Sequence, residues 1–219
     1  RLFVFSNGLF SFSSLKTISI SANIKTIGPR SFLGCKRLKT VKFSTDSNIR
    51  RIDDYSFSNS SIESIFIPSS VSKIGEYAFF ECKHLKSVEF SSSSKMTTIE
   101  KYAFADTLIK NIVIPPSVNQ IGEYAFANCK NLKSINFPTN SKLESMGQFV
   151  FYKSSLESIV IPPSVKELNQ AFAYSSLETI TIPSSVSEIN VEFFLELPNL
   201  KNISVSPENK YFRFLDNKY

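Results

Sequence analysis

Apolar and polar residues alternate along this chain in short runs that return at a fixed interval. A leucine-like anchor, a charged residue and a small polar residue precede β-branched or aromatic residues at alternate places, as in Leu15-Lys-Thr-Ile-Ser-Ile and Leu85-Lys-Ser-Val-Glu-Phe. The runs begin at Leu15, Leu38, Ile62, Leu85, Ile109, Leu132, Leu156, Leu177 and Leu200, in steps of 23, 24, 23, 24, 23, 24, 21 and 23 residues. Period-two alternation predicts a strand with one buried face. Spacing this regular predicts that each repeat lays its strand beside the next, giving a solenoid.

The segments between strands repeat as well. After a turn, often Ile-Pro-Ser-Ser-Val or Ile-Pro-Pro-Ser-Val, comes an apolar residue and, five positions later, a phenylalanine. Ile27 precedes Phe32 in this way, and so do Ile52 and Phe57, Ile74 and Phe79, Ile99 and Phe104, Ile121 and Phe126, Met146 and Phe151, and Ile189 and Phe194. Leu168 and Phe172 are one residue closer. Phe5 and Phe10 keep the common spacing, so residues 1–14 read as a partial repeat. Stacked repeats must all leave the same internal gap, and a ring of constant size fills it. A continuous Phe column is therefore expected, in keeping with 21 Phe and no Trp. The fold class is a leucine-rich-repeat solenoid, β-rich with short parallel strands, of about nine repeats of 23–24 residues.

A longer period lies above the first. Cys35, Cys82 and Cys129 are 47 residues apart, each three before an anchor, so repeats come in pairs. From the second strand anchor to the return anchor the two halves differ: seven residues from Ile67 to Ile74, nine from Phe90 to Ile99. Strands about 4.8 Å apart place thiols two repeats apart at roughly 10 Å, beyond the ~7 Å reach of a disulfide between α-carbons. Three free, buried thiols are expected. The spacing is a stacking distance without Cys-x-x-Cys, so no metal site is expected either.

Composition narrows the chemistry. With 42% hydrophobic and 20% charged residues the chain is not a disordered tail. No apolar run approaches the ~20 residues that span a bilayer. One histidine, His84, leaves few ways to assemble a nucleophile, a base and its orienter. The six glycines make no phosphate loop, and Glu76 and Glu123, with Lys101 between them, read as a surface ladder rather than a catalytic pair. No catalytic residue and no cofactor is expected. The formal charge of +6 is modest and favours anionic partners without naming one.

The sequence Ile-Gly-Glu-Tyr-Ala-Phe followed by Cys-Lys-x-Leu-Lys-Ser, from Ile74 to Val88 and again from Ile121 to Ile135, closely resembles the BspA-type leucine-rich-repeat family. The resemblance extends over nearly the whole chain, although Met146-Gly-Gln-Phe-Val-Phe and Ile189-Asn-Val-Glu-Phe-Phe drift from its pattern. It implies a curved, right-handed solenoid. It also implies a surface or secreted location, as in mucosal bacteria and parasitic protists, and adhesion to host matrix or cell-surface proteins.

Candidate binding residues follow from the strand geometry, because residues between inward anchors face solvent. One outward column, Thr17, Thr40, Ser64, Ser87, Asn111, Ser134, Ser158, Thr179 and Asn202, is small and polar throughout. The next reads Ser19, Lys42, Phe66, Glu89, Val113, Asn136, Val160, Thr181 and Ser204, setting Phe66, Val113 and Val160 two repeats apart among polar residues. Along the edge stand Lys16, Lys39, Lys86, Lys110, Lys133 and Lys201, with Glu63, Glu157 and Glu178 in the remaining repeats. Tyr55, Tyr77, Tyr102 and Tyr124, continued by Phe149, form a ladder on the return side that reads as packing.

The favoured function is a non-enzymatic scaffold binding a host protein through the strand face, using Phe66, Val113 and Val160 with Lys42, Lys86, Lys110 and Lys133. The alternative is polyanion binding, to a heparin-like glycan or nucleic acid, through the lysine row. Protein is the expected partner and glycan the second; a nucleic-acid partner is not expected. Residues 1–219 read as one domain within a longer array. Asp216-Asn217 marks the start of a hairpin or capping insertion over 206–219.

Overall fold

A computed structural model describes residues 3–194 and 196–213. Each repeat is one turn of a three-sided coil. The first side carries the strands expected from the alternation: Thr17–Ile20, Thr40–Phe43, Ser64–Ile67, Ser87–Phe90, Asn111–Val113, Ser134–Asn136, Ser158–Val160, Thr179–Ile182 and Asn202–Val205. The second carries two-residue strands at the return anchors, Val4–Phe5, Thr26–Ile27, Arg51–Ile52, Lys73–Ile74, Thr98–Ile99, Gln120–Ile121, Ser145–Met146, Glu167–Leu168 and Glu188–Ile189. Pairing is parallel, each strand beside its equivalent in the next repeat, as Ile52 beside Ile74. Apolar residues from the strands and the third side point into one continuous core.

The third side is a run of overlapping turns. Around Phe57, the N–H groups of Ser56, Ser58 and Ser60 donate to the carbonyls of Asp53, Tyr55 and Phe57. The intervening N–H groups of Tyr55, Phe57 and Asn59 donate forward to Glu76, Ala78 and Phe80 at 2.9, 2.8 and 2.7 Å. Every backbone donor from 55 to 60 is thus satisfied without a strand. The path requires left-handed backbone two residues before and two after the column Phe: Tyr55 and Asn59, Tyr77 and Glu81, Tyr102 and Asp106, Tyr124 and Asn128, Phe149 and Lys153, with φ from 52° to 59°. That conformation costs a non-glycine residue about 1–2 kcal/mol. Ring stacking offsets part of it, since Tyr55, Tyr77, Tyr102 and Tyr124 follow one another at 4.7 Å and Phe149 follows at 5.1 Å. Where this side begins, backbones of adjacent repeats nearly touch. A Cβ on Gly122 would lie 2.6 Å from the Lys101 nitrogen, which explains the Ile-Gly step.

Phe10, Phe32, Phe57, Phe79, Phe104, Phe126, Phe151 and Phe172 form the expected column, successive rings stacked at 5.1–5.9 Å. Its next member is Phe193, not the expected Phe194. Phe193 is buried and meets Phe172 edge-on at 6.0 Å, whereas Phe194 is 41% exposed. The cause is a 3₁₀ turn, Val191–Phe193, capped by Asn190, whose side-chain oxygen accepts the Glu192 N–H at 2.9 Å. This tighter path reaches the core one residue sooner, as Leu168 to Phe172 also does.

Cys35, Cys82 and Cys129 are free and buried, as their spacing required. Each thiol donates to the carbonyl of the preceding repeat's column residue, Phe10, Phe57 or Phe104, at 3.0, 3.1 and 3.3 Å. Each also meets a hydroxyl of that repeat, Ser13, Ser60 or Thr107, at 3.4, 3.4 and 3.3 Å. All six occupy the place three residues after a column Phe, so hydroxyl and thiol alternate up the core.

Nearly parallel equivalent rings measure the distance between repeats. It is 4.7 Å between successive tyrosines and 5.1–5.9 Å along the Phe column, so the coil bends toward the tyrosine corner. Strand pairing tolerates only about 4.7–4.9 Å. Near that corner the second side runs unbroken through seven strands, from Val4–Phe5 to Ser145–Met146. Opposite, the first side is interrupted: its strands pair as 17–20 with 40–43, 64–67 with 87–90, 111–113 with 134–136, and a final three.

Proline helps place these interruptions. Within pairs, the N–H after a strand bonds back to the previous strand, as Ser44 to Ile20 at 3.0 Å and Ser91 to Ile67 at 3.1 Å. Across each interruption that place is held by Pro68, Pro115 or Pro162, which has no N–H. Pro138 and Pro183 occupy the same place without breaking the pairing, so proline weakens the junction and the bend opens it.

After Asn202–Val205 the described chain turns around Asn209 instead of adding a strand. Its buried amide donates to Pro183 and Val186 carbonyls at 2.7 and 3.0 Å and accepts the N–H groups of Tyr211 and Phe212, both at 2.8 Å. The hairpin expected at Asp216-Asn217 lies outside the described residues.

Candidate functional site

The strand face presents the apolar row in the expected column. Ile65, Ile112 and Ile159 point into the core while their neighbours Phe66, Val113 and Val160 are 47%, 58% and 76% exposed. In register, Phe66 stands beside Glu89, Val113 beside Asn136 and Val160 beside Thr181. Phe66, Val113 and Val160 therefore lie on one line with a polar residue between each pair. Lys42 continues the line beside Ser19 and is exposed.

Two interruptions of the strand layer form grooves beside this row. One, of about 360 Å³, is lined by Glu89, Phe90, Val113, Pro115, Pro116 and Pro138. The other, of about 390 Å³, is lined by Asn136, Phe137, Ser158, Val160, Thr179 and Thr181. The strand alternation does not reveal these grooves. Pro68, Pro115 and Pro162 recur just after the strands that begin each new paired group, but Pro138 and Pro183 follow strands that stay paired, so proline alone does not mark the grooves.

The lysine edge is less uniform electrostatically than its sequence. Lys39 pairs with Glu63 and Lys201 with Glu178, each at 2.8 Å, and Lys133 pairs with Glu157. Hydrogen bonding and charge from Lys39 hold the Glu63 carboxyl below its ordinary range. Among the described residues, Lys16, Lys86 and Lys110 have no ionic partner and stand exposed. Of the expected edge cations, Lys86 and Lys110 remain available beside the apolar row, while Lys133 is committed to Glu157.

The tyrosine corner is satisfied internally. Lys101 bonds Glu123 at 2.6 Å and lies over the Tyr102 ring at 5.8 Å, and Arg30 lies over Tyr55 at 5.4 Å. Burial raises the Tyr77 and Tyr102 hydroxyls above their ordinary range. Among the described residues, no group of three His, Cys, Asp or Glu side chains is placed to hold a metal ion, and no helix is long and apolar enough to cross a membrane.

A family model described as a BspA type leucine rich repeat region, in six copies, matches residues 4–115 and 97–214. The chain belongs to this BspA-type family. No curated protein sequence matches it. Among solved structures, a leucine-rich repeat protein from Bacteroides ovatus is 24% identical with a TM-score of 0.66, the match covering 87% of this chain and 55% of that one. This BspA-type chain thus spans little more than half of that relative's length. The pneumococcal vaccine antigen PcpA is 20% identical with a TM-score of 0.55, covering 87% of this chain and 79% of that one. The Treponema pallidum protein TpLRR is 20% identical with a TM-score of 0.52, covering 87% and 78%. These likenesses show the fold.

Proposed function

We propose that this chain is a non-enzymatic scaffold of a cell-surface or secreted protein, and that it adheres to host matrix or cell-surface proteins through its strand face. The observation that carries this reading is the exposure of Phe66, Val113 and Val160 in one line on the strand face. Apolar side chains on a flat, hydrogen-bonding surface make anchors for a partner. The antigen description of the pneumococcal relative supports a surface location. The test is binding of the purified chain to a panel of immobilised extracellular-matrix proteins, compared with the combined Phe66→Ser, Val113→Ser and Val160→Ser variant. Binding to at least one protein that falls by about tenfold or more supports the proposal. Binding unchanged in the variant removes the strand face from it.

A further inference from the structure

The backbone bond just before each strand measures how closely two repeats sit on the strand side. Within paired groups, the N–H groups of Lys39, Lys86, Lys133, Glu178 and Lys201 donate to the carbonyls of Lys16, Glu63, Lys110, Glu157 and Glu178 at 2.8–3.0 Å. Across the interruptions, Glu63 to Lys39 and Lys110 to Lys86 lengthen to 3.3 Å, and no backbone bond joins Glu157 to Lys133 among the described residues. After these strands, Pro68, Pro115 and Pro162 remove the donor that elsewhere holds Ser44 to Ile20 and Ser91 to Ile67. Each interruption is thus weakened at both ends of its strand.

The interior and the third side cross the same three junctions intact. The column rings stay stacked there, Phe57 on Phe79 at 5.3 Å, Phe104 on Phe126 at 5.4 Å and Phe151 on Phe172 at 5.3 Å. Third-side bonds run on as well, Phe57 to Ala78, Phe104 to Ala125 and Phe151 to Ala171 at 2.8, 2.8 and 2.7 Å. The second side is continuous through the first two junctions and breaks only at the last, between Ser145–Met146 and Glu167–Leu168. A stack bonded on one flank and sparsely bonded on the other opens on the sparse flank first.

The division also sorts the apolar row. Phe66 shares a paired group with Glu89, Val113 with Asn136, and Val160 with Thr181 and Ser204. Each apolar residue therefore rides on a separate group, on the strand beside an interruption.

We propose that the strand face is jointed: its paired strands move as plates about a spine made of the aromatic column and the third side, opening and closing at the three interruptions. The separations of Phe66, Val113 and Val160 then adjust to the protein surface they meet. That adjustment rests on the adhesion reading, whereas the joints themselves do not.

Electron paramagnetic resonance distance measurement tests this on the whole chain, with spin labels on introduced surface cysteines while the native thiols stay buried. Ser19→Cys/Asn136→Cys spans the strand face across two interruptions, and Lys25→Cys/Glu144→Cys spans the same repeats beside the unbroken second side. The unsubstituted chain carried through labelling is the blank, and circular dichroism confirms that both variants stay folded. The strand-face distribution is expected to be about twice as wide as the other. Equal widths overturn the joints. A matrix protein that binds through the face should narrow the strand-face distribution, and a width unmoved by such a protein overturns the adjustment while the joints stand. If no matrix protein binds through the face, the adhesion reading falls and the adjustment with it, and the widths of the free chain still decide the joints.

Discussion

The Cys82 thiol donates to the Phe57 carbonyl at 3.1 Å while Ser60, of the same preceding repeat, meets it at 3.4 Å. Both contacts are buried, and burial pushes the thiol from 9.0 up to about 11. Cys129, between Phe104 and Thr107, is pushed up to about 11 by the same cause. Both thiols therefore stay protonated at neutral pH. Native protein should leave Cys82 and Cys129 unmodified by a thiol reagent at pH 8, with all three cysteines modified after unfolding. Because the folded values are raised, the stabilisation is fully present below the unfolded value near 9 and declines as pH rises toward about 11. A urea midpoint that is flat from pH 8 to 11 would count against this.

The end of the aromatic column separates two adjacent phenylalanines. Phe193→Ala should cost about 3–5 kcal/mol, as for a buried ring, and Phe194→Ala under about 1 kcal/mol. Urea denaturation of the two variants checks the order, and the reverse order would restore the five-residue step.

Left-handed backbone at Glu81, φ 54°, is held by its neighbours in the coil rather than by its own preference. Glu81→Gly should raise stability by up to about 1 kcal/mol. Gly34→Ala should lower it by about 1–2 kcal/mol, since φ there is 67° and a Cβ would lie 2.5 Å from the Phe12 ring. Thermal unfolding reads both signs.

Asn209 makes four hydrogen bonds from a buried side chain. Asn209→Ala leaves the Pro183 and Val186 carbonyls without this donor and should cost about 2–3 kcal/mol. Hydrogen exchange should show the loss first at Tyr211 and Phe212, whose N–H groups it receives.

Pairing of Lys39, Lys133 and Lys201 with glutamates breaks up the positive edge. Weak retention on heparin, with elution below physiological salt, is expected. Retention well above it, with a steep salt dependence, would favour the polyanion alternative.

Much of this molecule is legible in one dimension because a solenoid makes its contacts between neighbours at a constant offset in sequence. The interval between Leu38 and Leu85, or between Cys35 and Cys82, is itself a spatial spacing. Phe66, Val113 and Val160 could be assigned to one outward line from strand alternation alone. The lysine edge was legible as a row of residue types, but not which lysines are paired, because that depends on where long side chains reach.

Sequence periodicity alone determined the stacked repeats, the Phe column down to Phe172, the unbridged thiols and the outward positions of the strand face. Only tertiary structure decided that the coil bends toward the tyrosines, that the strand layer opens after its second, fourth and sixth strands, and that Phe193 rather than Phe194 enters the core. The physical reason is that equal offsets along the chain specify which residues are neighbours. The distances between them come from the balance of ring stacking, turn geometry and backbone hydrogen bonds around the whole turn.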